Sequence, residues 1–271
     1  MSEMNKYLRQ RLQAVSRFLM TGMMMLTLVS FLGGCLYPGG SERSSPETIG
    51  EDLQRVQKSV DGYVRDTLSP PVREAAWDAE KKITGVPIDF SLLIGRYLVD
   101  IPKSAFERGG RYRYVLLSND DGFVVRLLDL TLAQRVSDVQ QKVNDYRQRT
   151  GRLPFATPLP HQESHKQKDG AQDIVYSLDT EALAGKIPAL PSPYSSYYLP
   201  LIITAEGRVY LDYALDLALL KERATEEDDP ILKGTIDARW LFIQHTPFVP
   251  AVSLPYRFDA GEPILVRSVG P

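Results

Sequence analysis

Cys35 is the one thiol in the chain, and it stands where a thiol is acylated rather than oxidised. The residues before it, Leu32-Gly33-Gly34, are a branched apolar side chain and two small ones, the pattern of a bacterial lipobox. Small residues there let a peptidase grip extended backbone, and the thiol would carry a diacylglyceryl thioether. Upstream lie Lys6, Arg9, Arg11 and Arg17 with the single acid Glu3, then an uncharged stretch from Phe18 to Ser41. Positive flank, apolar run and small residues before a break make an export signal. The competing possibility is an uncleaved membrane helix from Phe18 to Leu36, since about 19 apolar residues approach the length that spans a bilayer. The place of the sole cysteine favours the lipoprotein, anchored to the extracytoplasmic face of the cell membrane. Two acyl chains hold firmly, at about 0.8 kcal/mol per buried CH₂.

Other side chains offer little chemistry. His161 and His165, with Glu163 between them, would face one side of a helix as metal ligands. They lie instead in a polar run flanked by Pro154, Pro158 and Pro160, which reads as a solvated loop. His245, in Gln244-His245-Thr246-Pro247, has no sequence-local partner, and a structural role is expected of it. The acids Glu226 to Asp229 lack the alternating spacing and the glycine of a calcium loop. Gly-x-Ser-x-Gly, a Walker loop and a Rossmann glycine fingerprint are absent. No thiol is left for catalysis once Cys35 is acylated. No catalytic residue, metal or cofactor is therefore expected. The one concentration is aromatic: Tyr194, Tyr197, Tyr198, Tyr210 and Tyr213, echoed by Tyr112 and Tyr114. Tyrosines suit strands, and exposed ones suit stacking on a sugar, peptide or partner.

The elements that would position these residues repeat. A helix should begin at Ser45-Pro46, with Ser45 as cap and Pro46 at its first position. Its apolar stripe is Ile49, Leu53, Val56, Val60 and Tyr63. A second should run from about Leu130 to Thr150, ended by Gly151, with the stripe Leu132, Val136, Val139, Val143 and Tyr146. Both stripes step 4, 3, 4, 3, the spacing of one helix face. At an offset of 83, Val56, Gln57, Val60, Tyr63 and Thr67 meet identical residues Val139, Gln140, Val143, Tyr146 and Thr150. Further on, Phe90-Ser91-Leu92 meets Tyr176-Ser177-Leu178, Ile101-Pro102 meets Ile187-Pro188, and Tyr112 meets Tyr198.

Two hairpins follow the same order. One joins Tyr112–Ser118 to Phe123–Leu128 through Asn119-Asp120-Asp121-Gly122. The other joins Tyr197–Thr204 to Arg208–Ala214 through Ala205-Glu206-Gly207. Asp129 and Asp216 follow them as expected N-caps. The runs Trp240-Leu241-Phe242-Ile243 and Pro263-Ile264-Leu265-Val266 are short enough to be strands finishing the second sheet.

The shared order predicts an α+β protein of two tandem, duplicated units of about 85 residues, each a helix plus a hairpin-containing sheet. Its divisions are 1–34 signal peptide, 35–44 lipidated tether, 45–151 first unit, and 152–271 second unit with a C-terminal tail.

With 43% hydrophobic and 24% charged residues in a chain of 271, disorder and fibrous repeats are excluded. Lys and Arg number 32 against 34 Asp and Glu, and removal of residues 1–34 leaves 28 against 33. That balance argues against a nucleic-acid partner. An exported chain without further cysteines forms no disulfides, so its stability must come from its core.

Cys35-Leu36-Tyr37-Pro38, Pro87-Ile88-Asp89-Phe90, the stretch from Gly109 to Leu116 and that from Val125 to Leu130 resemble a known family. It comprises uncharacterised lipoproteins of endospore-forming Gram-positive bacteria, some labelled substrate-binding lipoproteins of ABC transporters. The resemblance spans nearly all the mature chain and implies no catalytic or binding residue. Two function classes follow: a non-enzymatic envelope lipoprotein that binds a protein partner or cell-wall component, or the transporter substrate-binding lipoprotein. A degenerate wall hydrolase, the enzyme-class rival, lacks paired acids to support it.

Cys35→Ala should abolish lipid attachment, leaving a precursor or a shed protein in membrane fractionation and intact-mass measurement. A variant that stays in the membrane at full mass would establish an uncleaved helix instead.

Overall fold

In a computed structural model, the structure describes residues 46–73, 81–119, 122–160, 162, 174–223 and 230–266. Cys35 and the expected export signal, Ser45, His161, Glu163, His165 and the acids 226–229 lie outside the described residues. The fold is α+β, with every named sheet antiparallel. Helix α1 (Pro46–Thr67) leads by way of α2 (Lys81–Thr84) to a sheet ordered β1-β2-β3, formed by Val86–Pro87, Tyr112–Asn119 and Gly122–Asp129. Helix α3 (Leu130–Thr150) leads to a sheet ordered β4-β5-β6-β7, formed by Phe155–Pro158, Val175–Leu178, Leu201–Thr204 and Val209–Leu211. After these come α4 (Ala214–Lys221), α5 (Trp240–His245) and a separate hairpin of β8 (Tyr256–Asp259) with β9 (Glu262–Leu265).

Each helix stripe makes a core with the sheet that follows it. Val56 and Val60 of α1 are buried against Phe90, Tyr114, Leu116, Val125 and Leu127. Val136, Val139 and Val143 of α3 are buried against Leu178, Ile202, Ile203 and Leu211. The stripe of α3, within the expected first unit 45–151, thus packs with the sheet that follows it. Asp129 accepts from Thr131 N and Leu132 N at the start of α3, and Gly151 ends it with φ 70°, a left-handed turn cheap only for glycine.

The same contacts occur twice. Gln57 Nε2 donates to Phe123 O at 3.0 Å while its Oε1 accepts from Val125 N at 2.7 Å. Gln140 Nε2 donates to Gly207 O at 2.8 Å while its Oε1 accepts from Val209 N at 2.8 Å. Each amide behaves as a short piece of strand along the outer edge of its hairpin, β3 or β7. Thr67 and Thr150 each donate back to the carbonyl four residues earlier and accept from the amide two residues later. Asp89 N donates to Pro71 O, and Asp179 N to Pro154 O, at 2.8 and 2.9 Å.

Further along the two outer edges the C-terminal stretch takes over from the glutamines. Leu127 N donates to Pro247 O, Val249 N to Leu127 O, and Leu211 N to Val252 O. The stretch 247–253, which turns at Ala251-Val252, therefore meets both sheets, bridging in parallel from Phe248 to Leu127 and from Ser253 to Leu211. Ile243 and Val249 also cover the second face of the first sheet, packing on Val115 and Leu117.

Several expected boundaries move. Trp240–Ile243 is helical, and Pro263–Leu265 joins the separate β8–β9 hairpin rather than the second sheet. Residues 176–178 are strand β5, whereas 90–92 form a 3₁₀ turn, so their alignment is displaced by four. Asp89 and Asp179, which both receive downstream backbone amides, are the matching pair. Tyr197–Pro200 precedes β6 as a loop instead of opening the second hairpin.

Gln57→Ala and Gln140→Ala should each lower the unfolding free energy in urea by about 1–3 kcal/mol, because an edge amide and carbonyl lose their partner. Unchanged stability would mean that water replaces the glutamine without loss.

Candidate functional site

Loop 190–199 is short, proline-rich and closed at its base. Leu199 N donates to Leu190 O at 2.7 Å and Ser192 N to Tyr197 O at 2.9 Å, with Leu190 and Leu199 buried beneath. Ser192 Oγ accepts from Tyr194 N and Ser195 N, a serine turn that fixes the tip. Within it Tyr194 turns inward and Tyr197 and Tyr198 turn outward. Tyr194 stacks on Phe242 of α5 at 3.9 Å between ring centres, and Tyr213 meets both rings edge-on. Tyr213 donates its hydroxyl to Ala251 O at 2.8 Å.

Below the loop sits Asp216, buried in the first turn of α4. Ser192 Oγ donates to its Oδ2 at 2.8 Å, and its Oδ1 is buried with no hydrogen-bond partner among the described residues. Burial raises the Asp216 carboxyl above the usual carboxylate range, against the opposing pull of the Ser195 and Ser192 hydroxyls. Burial also pushes the Tyr194 and Tyr213 phenols well up, reinforced by the charges of Asp216 and Asp129. Asp216 is thus not the N-cap that its sequence setting suggested. Asp212 Oδ1 takes Ala214 N instead, at 2.9 Å, and also accepts from the buried Tyr256 hydroxyl at 2.8 Å.

The glutamine contacts equate Val125 with Val209 and the tail contacts equate Leu127 with Leu211. Counting on from either pair, Asp216 occupies the place of Leu132, a buried leucine in the first half. An acid thus stands where the first half has a core leucine.

The equivalent loop of the first half is 104–111, closed by Tyr112 N to Ser104 O at 3.0 Å and by Gly110 N to Ala105 O at 2.9 Å. A Cβ on Gly110 would lie 2.2 Å from Ser104 O, so only glycine allows this closure. The loop displays Phe106, beneath the Arg113 guanidinium, and ends at Arg111, which pairs with Asp129. The two loops approach each other at Phe248, whose ring meets Tyr112 at 5.5 Å and whose carbonyl lies 3.5 Å from the Tyr194 hydroxyl.

Residues 49–129 match the model of the YphF family N-terminal domain. The match covers α1 to β3 and ends at Asp129, the residue that caps α3. Neither a curated protein nor a solved structure matches the chain significantly. Among the described residues there is no group of three or more His, Cys, Asp or Glu placed to hold a metal. No described helix is long and apolar enough to cross a membrane.

The expected tyrosine surface is split by the structure. Tyr197 and Tyr198 are 55% and 67% exposed, Tyr210 is half-buried, and Tyr213 is fully buried under α5 and the tail. Strand alternation does not separate Tyr197 from Tyr198, because both sit in a loop. His245 is exposed on the last turn of α5, so it does not fill the structural place expected of it. Asp216 is a buried acid and not a cap. The signal that could have singled it out is one acid within the apolar run Ala214-Leu215-Asp216-Leu217-Ala218-Leu219-Leu220.

A carboxyl with a raised folded-state pKa takes up protons on folding. Its contribution to stability therefore falls as pH rises from the ordinary value of 3.8 through the raised one. The unfolding free energy of the native chain minus that of Asp216→Asn should decline across this window and level off above it. A pH-independent difference in chemical denaturation would contradict the buried, half-satisfied carboxyl.

Proposed function

We propose that the chain is a non-enzymatic cell-envelope lipoprotein, held at the extracytoplasmic membrane face through a diacylglyceryl group on Cys35, which binds a protein partner or cell-wall component. The anchor rests on Leu32-Gly33-Gly34-Cys35 and its charged and apolar lead-in. The observation that carries the binding role is the pair Tyr197–Tyr198, held outward by a loop whose base and tip are hydrogen-bonded. Aromatic rings on a stiff loop lose little conformational freedom on binding, and their hydroxyls add directional bonds. The transporter substrate-binding reading rests on family resemblance. Its usual architecture is a pair of lobes built on parallel sheets, whereas both sheets here are antiparallel.

The test is titration of the lipidated protein with soluble wall fragments, followed by thermal and chemical unfolding. A ligand at roughly 100 times its Kd should stabilise the native chain by about 2.7 kcal/mol. The double variant Tyr197→Ala/Tyr198→Ala should lose that stabilisation while unfolding normally alone. Binding that survives the double variant removes the loop from the reading. If no wall fragment binds, a photo-crosslinker at position 198 should capture an envelope protein in intact cells, and capture of nothing there overturns the binding role.

A further inference from the structure

A second exposed surface lies on the segment 90–108 of the first half. This segment runs antiparallel along α1. Tyr97 packs on Tyr63 near the helix end, with ring centres 5.5 Å apart, Arg55 pairs with Asp100, and Ser104 Oγ donates to Asp52 at 3.0 Å. Phe90, Leu93, Leu98 and Ala105 point into the first core. Leu93, Leu98 and Ala105 have chain neighbours that point out: Leu92, Ile94, Val99 and Phe106 are all exposed, Val99 to 92%. Scattered surface hydrophobics need no explanation, but four on the outer side of one segment do.

The same region is basic. Residues 92–113 carry Arg96, Lys103, Arg108, Arg111 and Arg113 against Asp100 and Glu107. Arg96 pairs with Asp66, Arg111 with Asp129 and Asp100 with Arg55, which leaves Lys103, Arg108 and Arg113 against Glu107. Apolar side chains fringed by cations suit the boundary between anionic headgroups and acyl chains. The position of the segment fits as well. Its 100–106 part lies against Asp52 and Arg55, in the first turns of α1, the end that continues back towards Cys35. From Cys35 to Pro46 the chain, fully extended at ~3.5 Å per residue, reaches at most about 40 Å. A lipid anchor would therefore leave the start of α1, and the 100–104 part beside it, within reach of the bilayer.

We infer that the segment 92–106 docks on an anionic membrane surface, with Leu92, Ile94, Val99 and Phe106 entering the headgroup region and Lys103, Arg108 and Arg113 facing the headgroup charge. The inference rests on the lipid anchor at Cys35. Docking would set the first half against the membrane and leave loop 190–199 as a separate binding surface.

The test uses the full lipidated protein in vesicles of phosphatidylcholine with phosphatidylglycerol. An environment-sensitive fluorophore is placed through Val99→Cys, Phe106→Cys or, as a control on another exposed apolar residue, Leu215→Cys. The acylated Cys35 does not react with the label. Emission at 99 and 106 should shift to the blue and be quenched by lipids spin-labelled near the headgroup, while 215 stays wet. The shift should shrink in pure phosphatidylcholine and in Lys103→Glu/Arg108→Glu/Arg113→Glu. Probes at 99 and 106 as wet as that at 215 overturn the inference, and so does a blue shift that the spin-labelled lipids do not quench, which would indicate a second copy of the chain. Intact mass of the same sample separates the premises. An unlipidated chain that fails to float with vesicles overturns the anchor and the docking together, whereas a lipidated chain with wet probes overturns the docking alone.

Discussion

A small antiparallel sheet leaves a row of amides and carbonyls along each outer strand, and closing those rows organises this molecule. β3 and β7 are both outer strands, and each is closed in two stages. A glutamine from the preceding helix supplies one donor and one acceptor near the turn, and the segment 247–253 supplies the rest. An open edge invites pairing with another chain. Here the glutamine also sets the helix in register with the strand it serves. A shift of α1 or α3 by one residue would move the valine stripe off the core and the amide off the edge at once.

This arrangement makes the C-terminal stretch part of both halves. It closes two edges, covers the second face of the first sheet through Ile243 and Val249, and roofs Tyr194 and Tyr213 through Phe242. The halves therefore share a component, although each helix has its own core. The two loops that approach Phe248 then occupy one end of this shared construction. There the equivalence breaks down: a leucine in one half is Asp216 in the other, and the exposed Phe106 side of one loop is matched by Tyr197 and Tyr198. The contacts repeated between halves serve folding. Of the departures from repetition, Tyr197 and Tyr198 reach solvent, whereas Asp216 is buried beneath their loop.

Much of the frame was legible from periodicity. The two stripes, their shared spacing, the identical Val, Gln, Val, Tyr and Thr, the Asp129 cap and the Gly151 stop are local features, governed by a 3.6-residue turn and by the amides a helix end leaves free. The first hairpin was legible for the same reason, since strand and turn residues adjoin. Trp240–Ile243 was not, because a short apolar run serves equally as strand or buried helix turn. Nor was the four-residue displacement at Asp89 and Asp179, since insertions between elements leave no periodic trace.

By itself, then, the sequence determined the two long helices, their buried faces, the α+β class and the match of Gln57 with Gln140. Only the tertiary structure decided what those glutamines bond, where the tail runs, which tyrosines reach solvent and that Asp216 is buried with one oxygen unsatisfied. The physical reason is range. A helix stripe or a cap is specified by residues within a turn or two, whereas the burial of Tyr213 and Asp216 depends on loop 190–199 and the tail, which approach from more than twenty residues away in either direction.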